Sequence, residues 1–234
     1  MCIRDSGFYA LFADGAPEVS TSQPSPGAFV EVYEQCLADG YDEIVSIHVG
    51  ESLSRTLNSA RVAAGLVDAT VHLVDTGTGS FGVSCCVWTA GEILQVGGSA
   101  AEAIAAAEKI ADELYHVTAL GAANLVSQRV AYERGDMDGI DVLRGGPGGS
   151  FASVGAARSV EEICDLMAAT MHLDGEPIRV ALGIADESAM AYYAGLESRL
   201  GQRDDVVEIV RYRIGPSVGA FTGLGTAGGF WYRA

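Results

Sequence analysis

Positive charge is scarce in this chain. Fourteen lysines and arginines stand against 31 aspartates and glutamates, a formal net charge of −17 over 234 residues. So acidic a surface repels phosphate backbones and anionic headgroups, which argues against a nucleic-acid partner and against docking on an anionic membrane. A protein partner with a basic face would be steered in instead. Long apolar runs are missing too. No stretch approaches the ~18 residues of a spanning helix, so no stable membrane insertion is expected. No basic start with an apolar run and a small-residue cleavage site marks secretion, and the expected location is the cytoplasm. The Gly145–Ser150 stretch lacks the lysine of a phosphate-binding loop, and no Gly-x-Ser-x-Gly elbow of an α/β-hydrolase is present.

Cysteines number five and histidines four, dispersed and without metal-site spacing, so neither a metal nor another cofactor is expected. Cys36 and Cys164 fall on apolar helix faces and are expected as small core residues. The adjacent Cys85 and Cys86 are not expected to face one core together. His48 and His72 lie in strand-like runs and read as core or edge residues.

Hydrophobic residues make up 49% of the chain and charged residues 19%, enough for a sizeable core. Phe29, Val32, Tyr33, Cys36 and Leu37 recur at helical spacing, and Gly40 closes that helix. The β-branched run Ile44–Val49 reads as a buried parallel strand. A helix over Leu53–Ala64, a strand over Val71–Val74 and helices over Gly82–Gln95 and Ala100–Leu114 follow. Two successive strand–helix units imply a parallel sheet. The second half is expected to carry helices over Val160–Met171 and Ser188–Leu200 and strands over Ile178–Ile184 and Val206–Tyr212. The Gly-rich stretch Arg144–Gly155 reads as loop. The fold class is α/β: two α/β domains, 7–118 and 119–234, the first with a mostly parallel sheet flanked by helices. Met1–Ser6 fit neither domain and read as an artefact.

Three segments carry candidate chemistry. Thr21-Ser22-Gln23-Pro24-Ser25-Pro26-Gly27 is a stiff loop ahead of a helix, with Ser25 placed to cap it and Pro26 in its first turn. Its hydroxyls and free N–H groups could bind an anion, but on composition the plain helix cap is the favoured reading. Ser52 to Ala60 joins a strand end to a helix start, where open α/β sheets bind ligands. There Ser54 and Thr56 offer short neutral donors. Ile214 to Gly225 is rich in glycine, which implies tight turns and close backbone approach.

Taken together, these segments resemble the DegV family of bacterial fatty-acid-binding proteins. Thr21 to Pro26 matches the family's Thr-Ser-Gln-Pro-Ser-Pro loop. Leu53-Ser54-Arg55-Thr56 resembles its Leu-Ser-Gly-Thr helix start, with Arg55 in place of Gly. Val74-Asp75-Thr76 resembles a strand ending Val-Asp-Ser. Ile214 to Gly225 is similar to the C-terminal Ile-Gly-Pro motif, with Phe221 where the family has His and Leu224 where it has Pro. The resemblance implies an intracellular carrier rather than an enzyme. It would enclose a long-chain fatty acid in an apolar slot between its two domains and present the carboxylate to a separate fatty-acid kinase. The implied lipid-binding residues are Thr21, Ser22, Ser54, Arg55 and Phe221. Arg129 or Arg144 stands nearest the family's Gly-Gly-Arg-Ile segment, and Arg158 resembles an arginine ahead of a family helix. The family's first strands have no counterpart before Phe8, so the chain reads as N-terminally truncated. Two alternatives stand beside the carrier. One is an enzyme taking a phosphorylated metabolite at the same loops, with Asp75 as its nearby carboxylate. The other is a truncated paralogue that binds nothing.

Overall fold

The computed structural model describes residues 5–11, 19–120, 139–147 and 151–234. Contacts divide the chain into two compact units. The first holds residues 22–113. The second holds residues 114–120, 139–146 and 151–234 together with the N-terminal segment through Thr21, which contributes helix α1 (Asp5–Ala10).

In the first unit the order is α2 (Pro26–Ala38), β1 (Glu43–His48), α3 (Thr56–Ala64), β2 (Thr70–Asp75), α4 (Phe81–Gln95) and α5 (Ala100–Glu113). Helix α2 starts where Ser25 Oγ accepts the Ala28 N–H at 3.3 Å and Pro26 needs no partner for a missing N–H. Its expected apolar face is only partly used: Tyr33 is buried, Cys36 half-buried and Val32 exposed. Strands β1 and β2 pair in parallel, from Glu43 opposite Thr70 to His48 opposite Asp75. Both carry β-branched and apolar residues, suited to a pleated, half-buried surface.

Two expectations need correcting here. Helix α3 begins at Thr56, not Leu53, because Gly50–Ser54 closes a turn in which the Leu53 and Ser54 N–H groups both donate to the Gly50 carbonyl. Cys85 and Cys86 are both buried, at 1% and 0% exposure. Adjacent helical residues point about 100° apart, and α4 is flanked by α5 and by β1, so each thiol meets a neighbour. Burial pushes the Cys85 thiol up to about 12 and Cys86 up to about 11, so both stay protonated and behave as packing groups.

The second unit continues with β3 (Tyr115–Ala119), β4 (Ile140–Gly145), β5 (Phe151–Ala157), α6 (Val160–Thr170), β6 (Ile178–Ile184), a 3₁₀ turn (Glu187–Ala189), α7 (Met190–Leu200), β7 (Val206–Arg213), α8 (Pro216–Thr222) and β8 (Ala227–Arg233). Its six-stranded sheet is mixed, in the order β5-β4-β3-β8-β6-β7. Only β6 and β7 run parallel; the other neighbours are antiparallel. The last strand of the chain therefore lies inside the sheet, and six of its seven residues are buried. Trp231 is fully buried within it and donates its indole N–H to the His172 carbonyl at 3.2 Å. Around it α6 and α7 supply Ile163, Met167, Leu196 and Leu200 to one core with Val117, Val142 and Leu182.

The Gly-rich stretch from Arg144 to Gly155 is not all loop. Its ends lie in β4 and β5, which pair antiparallel from Ile140 opposite Ala157 to Gly145 opposite Phe151. Glycine at 145 lets the two-sided packing occur: a Cβ there would lie 2.0 Å from His116 Cε1 on the neighbouring strand. Among the described residues no helix is long and apolar enough to cross a membrane.

Candidate functional site

Parallel strands β1 and β2 end side by side at His48 and Asp75, and their loops run directly to the first turns of α3 and α4. Such an edge gathers unpaired N–H groups and the positive ends of two helices, which favours an anion. The two loops are tied to each other. Gly50 N–H donates to the Thr78 carbonyl at 2.7 Å, and Thr76 donates from N and from Oγ1 to the His48 carbonyl. Gly79 lies against Leu53, at 3.4 Å from a Cβ on Gly79 to Leu53 Cδ1. Asp75 sits at the junction, where its Oδ1 accepts from Glu51 N at 3.1 Å and Gly77 N at 3.0 Å. The carboxylate that the enzyme alternative would use is thus engaged in holding both loops.

On this frame Ser54 is half-buried. Its Oγ lies 2.7 Å from Thr56 Oγ1 and accepts the Thr56 N–H at 3.2 Å. Two hydroxyls that share one hydrogen bond leave one O–H free to donate outward, the requirement for holding a carboxylate without an ion pair. Arg55 sits between them at the helix cap, exposed, with no ion pair among the described residues. Ser22 is exposed in the loop before α2, while Ser25 is used as the cap of that helix.

One residue of this edge escapes the sequence reading. Ser80 caps α4 with φ 56° and ψ −138°, a conformation that side-chain-bearing residues seldom adopt. Holding it costs about 1–3 kcal/mol. The signal was the run Gly77-Thr78-Gly79-Ser80 straight after a strand-end aspartate. Beneath the edge, His48 is 6% exposed, its Nε2 2.8 Å from Ser46 Oγ, which lies 2.8 Å from the Tyr33 hydroxyl. Burial lowers the His48 pKa, and the charge of Asp75 works against that shift. His72, by contrast, lies half-buried and bonds Glu43 Oε1 at 2.9 Å.

The remaining candidates belong to the second unit, so the five lipid-binding candidates are divided: Ser22, Ser54 and Arg55 in the first, Thr21 and Phe221 in the second. Phe221 is half-buried in α8, whose start is fixed by Gly215 and Pro216 and whose end by Gly223 at φ 79°. The Gly-rich run there is anchored twice. Tyr9 of α1 donates its hydroxyl to the Ile214 carbonyl at 2.7 Å, and Gly225 N–H donates to Asp186 Oδ2 at 2.6 Å. Arg144 lies over the Tyr115 and Trp231 rings, 5.0 and 5.8 Å from their centroids. Arg158 donates its backbone N–H to Glu162 Oε2 at the start of α6. Arg129 lies outside the described residues. Among the described residues no group of three or more His, Cys, Asp or Glu is placed to hold a metal.

Residues 3–124 match a family model described as uncharacterised protein, DegV family. A DegV domain-containing protein of Streptomyces coelicolor is 41% identical over 91 residues, 39% of this chain and 32% of that protein. One of Listeria innocua is 45% identical over 105 residues, 45% of this chain and 37% of that protein. The matches therefore span about a third of the length of these curated relatives. Among solved structures, one reported as fatty acid binding of a DegV family protein from Thermus thermophilus superposes with a TM-score of 0.87 at 25% identity, covering 99% of this chain and 85% of that one. A DegV lipid-binding protein from Thermotoga maritima superposes at 0.83 with 21% identity, covering 97% and 81%, and shows the shared fold. With more than half of its residues matched by the family model and an α/β fold common to these structures, this chain belongs to the DegV family.

Proposed function

We propose that this chain binds a long-chain fatty acid and carries it in the cytoplasm, without transforming it, for presentation to a separate fatty-acid kinase. The observation that carries the reading is the hydroxyl pair Ser54–Thr56, set where two parallel strands feed two helix N-termini. It is a neutral anion cradle with one donor to spare. Thr21 and Ser22 would add hydroxyls from the loop before α2, and Arg55 a charge beside Ser54. The fatty-acid binding reported for the Thermus relative supports the choice of ligand. Under this reading two α/β domains, 7–118 and 119–234, form an apolar slot for the acyl chain. Burial there contributes about 0.8 kcal/mol per CH₂, so the chain supplies the affinity and the headgroup the orientation.

Phe221 tunes the headgroup end. A benzyl ring donates no hydrogen bond, so more of the carboxylate's hydrogen bonding falls to Ser54, Thr56 and Arg55. Native mass spectrometry of protein purified without detergent tests the proposal. A bound mass matching a fatty acid, lost in Ser54→Leu, is the expected result. Folded protein that stays empty after incubation with palmitate and oleate would defeat it.

A further inference from the structure

Tyr9 of α1 reaches to the far end of the sequence. Its hydroxyl donates to the Ile214 carbonyl at 2.7 Å, the last carbonyl before the Gly215 cap of α8. Ile214 is 4% exposed, so that carbonyl needs a partner inside the protein. The tip of the Tyr9 ring rests on Gly219 in the middle of α8, where a Cβ would lie 2.8 Å from Tyr9 Cζ. Phe8 packs edge-on against Tyr9, with ring centroids 5.1 Å apart. Phe8, Tyr9 and Ala185 form a small buried cluster, apart from the core around Trp231.

Two candidate binding segments lean on this cluster, and both belong to the second unit. Val19, Ala220 and Leu224 pack against it. Val19 stands two residues before Thr21. A chain gains at most ~3.6 Å per residue, so Thr21 stays within about 7 Å of that anchor. Ala220 stands one residue before Phe221. Adjacent helical residues point about 100° apart, so with Ala220 against the cluster the Phe221 ring is turned off it. The cluster therefore fixes the Thr21 loop and the Phe221 helix from behind. Having few buried side chains of its own, it opens locally at a lower cost than unfolding the unit.

Resting on the fatty-acid reading above, we propose that Tyr9 is a positioning residue: its latch on Ile214 and Gly219 holds the Thr21 loop and the Phe221 helix as one side of the headgroup site, and local opening of the latch releases ligand. Ligand lifetime then follows the strength of the latch rather than the stability of the fold. The other end of the Gly-rich run is held independently, by the Gly225 N–H on Asp186 Oδ2. Loss of the Tyr9 bond thus frees the start of α8 without detaching the whole run.

The test uses two variants of the full chain that break one contact from opposite sides. Tyr9→Phe removes only the hydroxyl. Gly219→Ala leaves Tyr9 intact and pushes its ring away. In NMR spectra of ligand-free protein, both variants are expected to shift the Thr21 amide together with the Phe221 amide, while the Trp231 indole N–H stays in place. Exchange of bound palmitate for isotope-labelled palmitate is then followed by native mass spectrometry, at a temperature where every variant is folded. It is expected to quicken roughly threefold to tenfold in each variant, the effect of losing one buried hydrogen bond. An unchanged exchange rate with a lowered melting temperature would leave Tyr9 a structural residue and overturn the proposal. So would a Thr21 amide that ignores both variants. Unaltered protein that takes up no palmitate defeats the fatty-acid reading instead, and the paired amide shifts then decide alone whether the latch couples the two segments.

Discussion

Gly50 lies against Gly77 so closely that a Cβ on Gly50 would sit 2.7 Å from the Gly77 carbonyl carbon. This backbone-to-backbone contact locks the loop after β1 to the loop after β2. Neither partner has a flexible side chain that could move aside. Gly50→Ala should therefore destabilise the protein by about 1–3 kcal/mol. Gly91, in the interior of α4 with open space where its Cβ would stand, is the control. Gly91→Ala should stabilise by about 0.5–1 kcal/mol. Urea unfolding of the two variants checks both signs.

Ser80 predicts an improvement rather than a loss. Its positive φ is strained for serine and unstrained for glycine. Ser80→Gly should raise stability by ~1 kcal/mol, or about 2–4 °C in Tm for a chain of this size. A thermal scan that shows no rise would mean that the Ser80 side chain contributes more than its backbone costs.

His116 predicts an acid-side loss of stability. Its ring is packed between Phe151 and Phe230, with centroids 4.9 and 5.5 Å away, and burial pushes its pKa down to about 4. The unfolded chain takes up this proton near pH ~6.5, while the folded chain resists it. Stability is then full above that value and falls as pH drops from about 6.5 to about 4, by up to ~3 kcal/mol. His48, also lowered, adds a loss of the same sign. His116→Phe should flatten most of the slope in that window, and denaturant titrations at several pH values measure it.

The first unit was legible because its elements are local. Ile178–Ile184 in the second unit was legible for the same reason: the apolar run Val180–Leu182, framed by Ile178 and Ile184, announces a strand whatever its neighbours are. Ser25 and Pro26 mark the start of α2 within a few residues, and the β-branched run of β1 is continuous. The strands β3, β4, β5 and β8 were not legible. Tyr115–Ala119 and Phe151–Ala157 are short and lack clean alternation, and Ala227-Gly228-Gly229 reads as turn until one sees what lies against it.

The sequence by itself determined which segments are helices and roughly where most of them start and stop, which hydroxyls sit at the loops and which family the motifs resemble, because caps, periodicity and motif spacing act over a few residues. Tertiary structure decided that β8 lies inside a sheet between β3 and β6, that Cys85 and Cys86 are both buried, and that Asp75 ties two loops. Those outcomes depend on contacts between residues far apart in the chain. Loop closure and packing select them together, and no local window of sequence contains both partners.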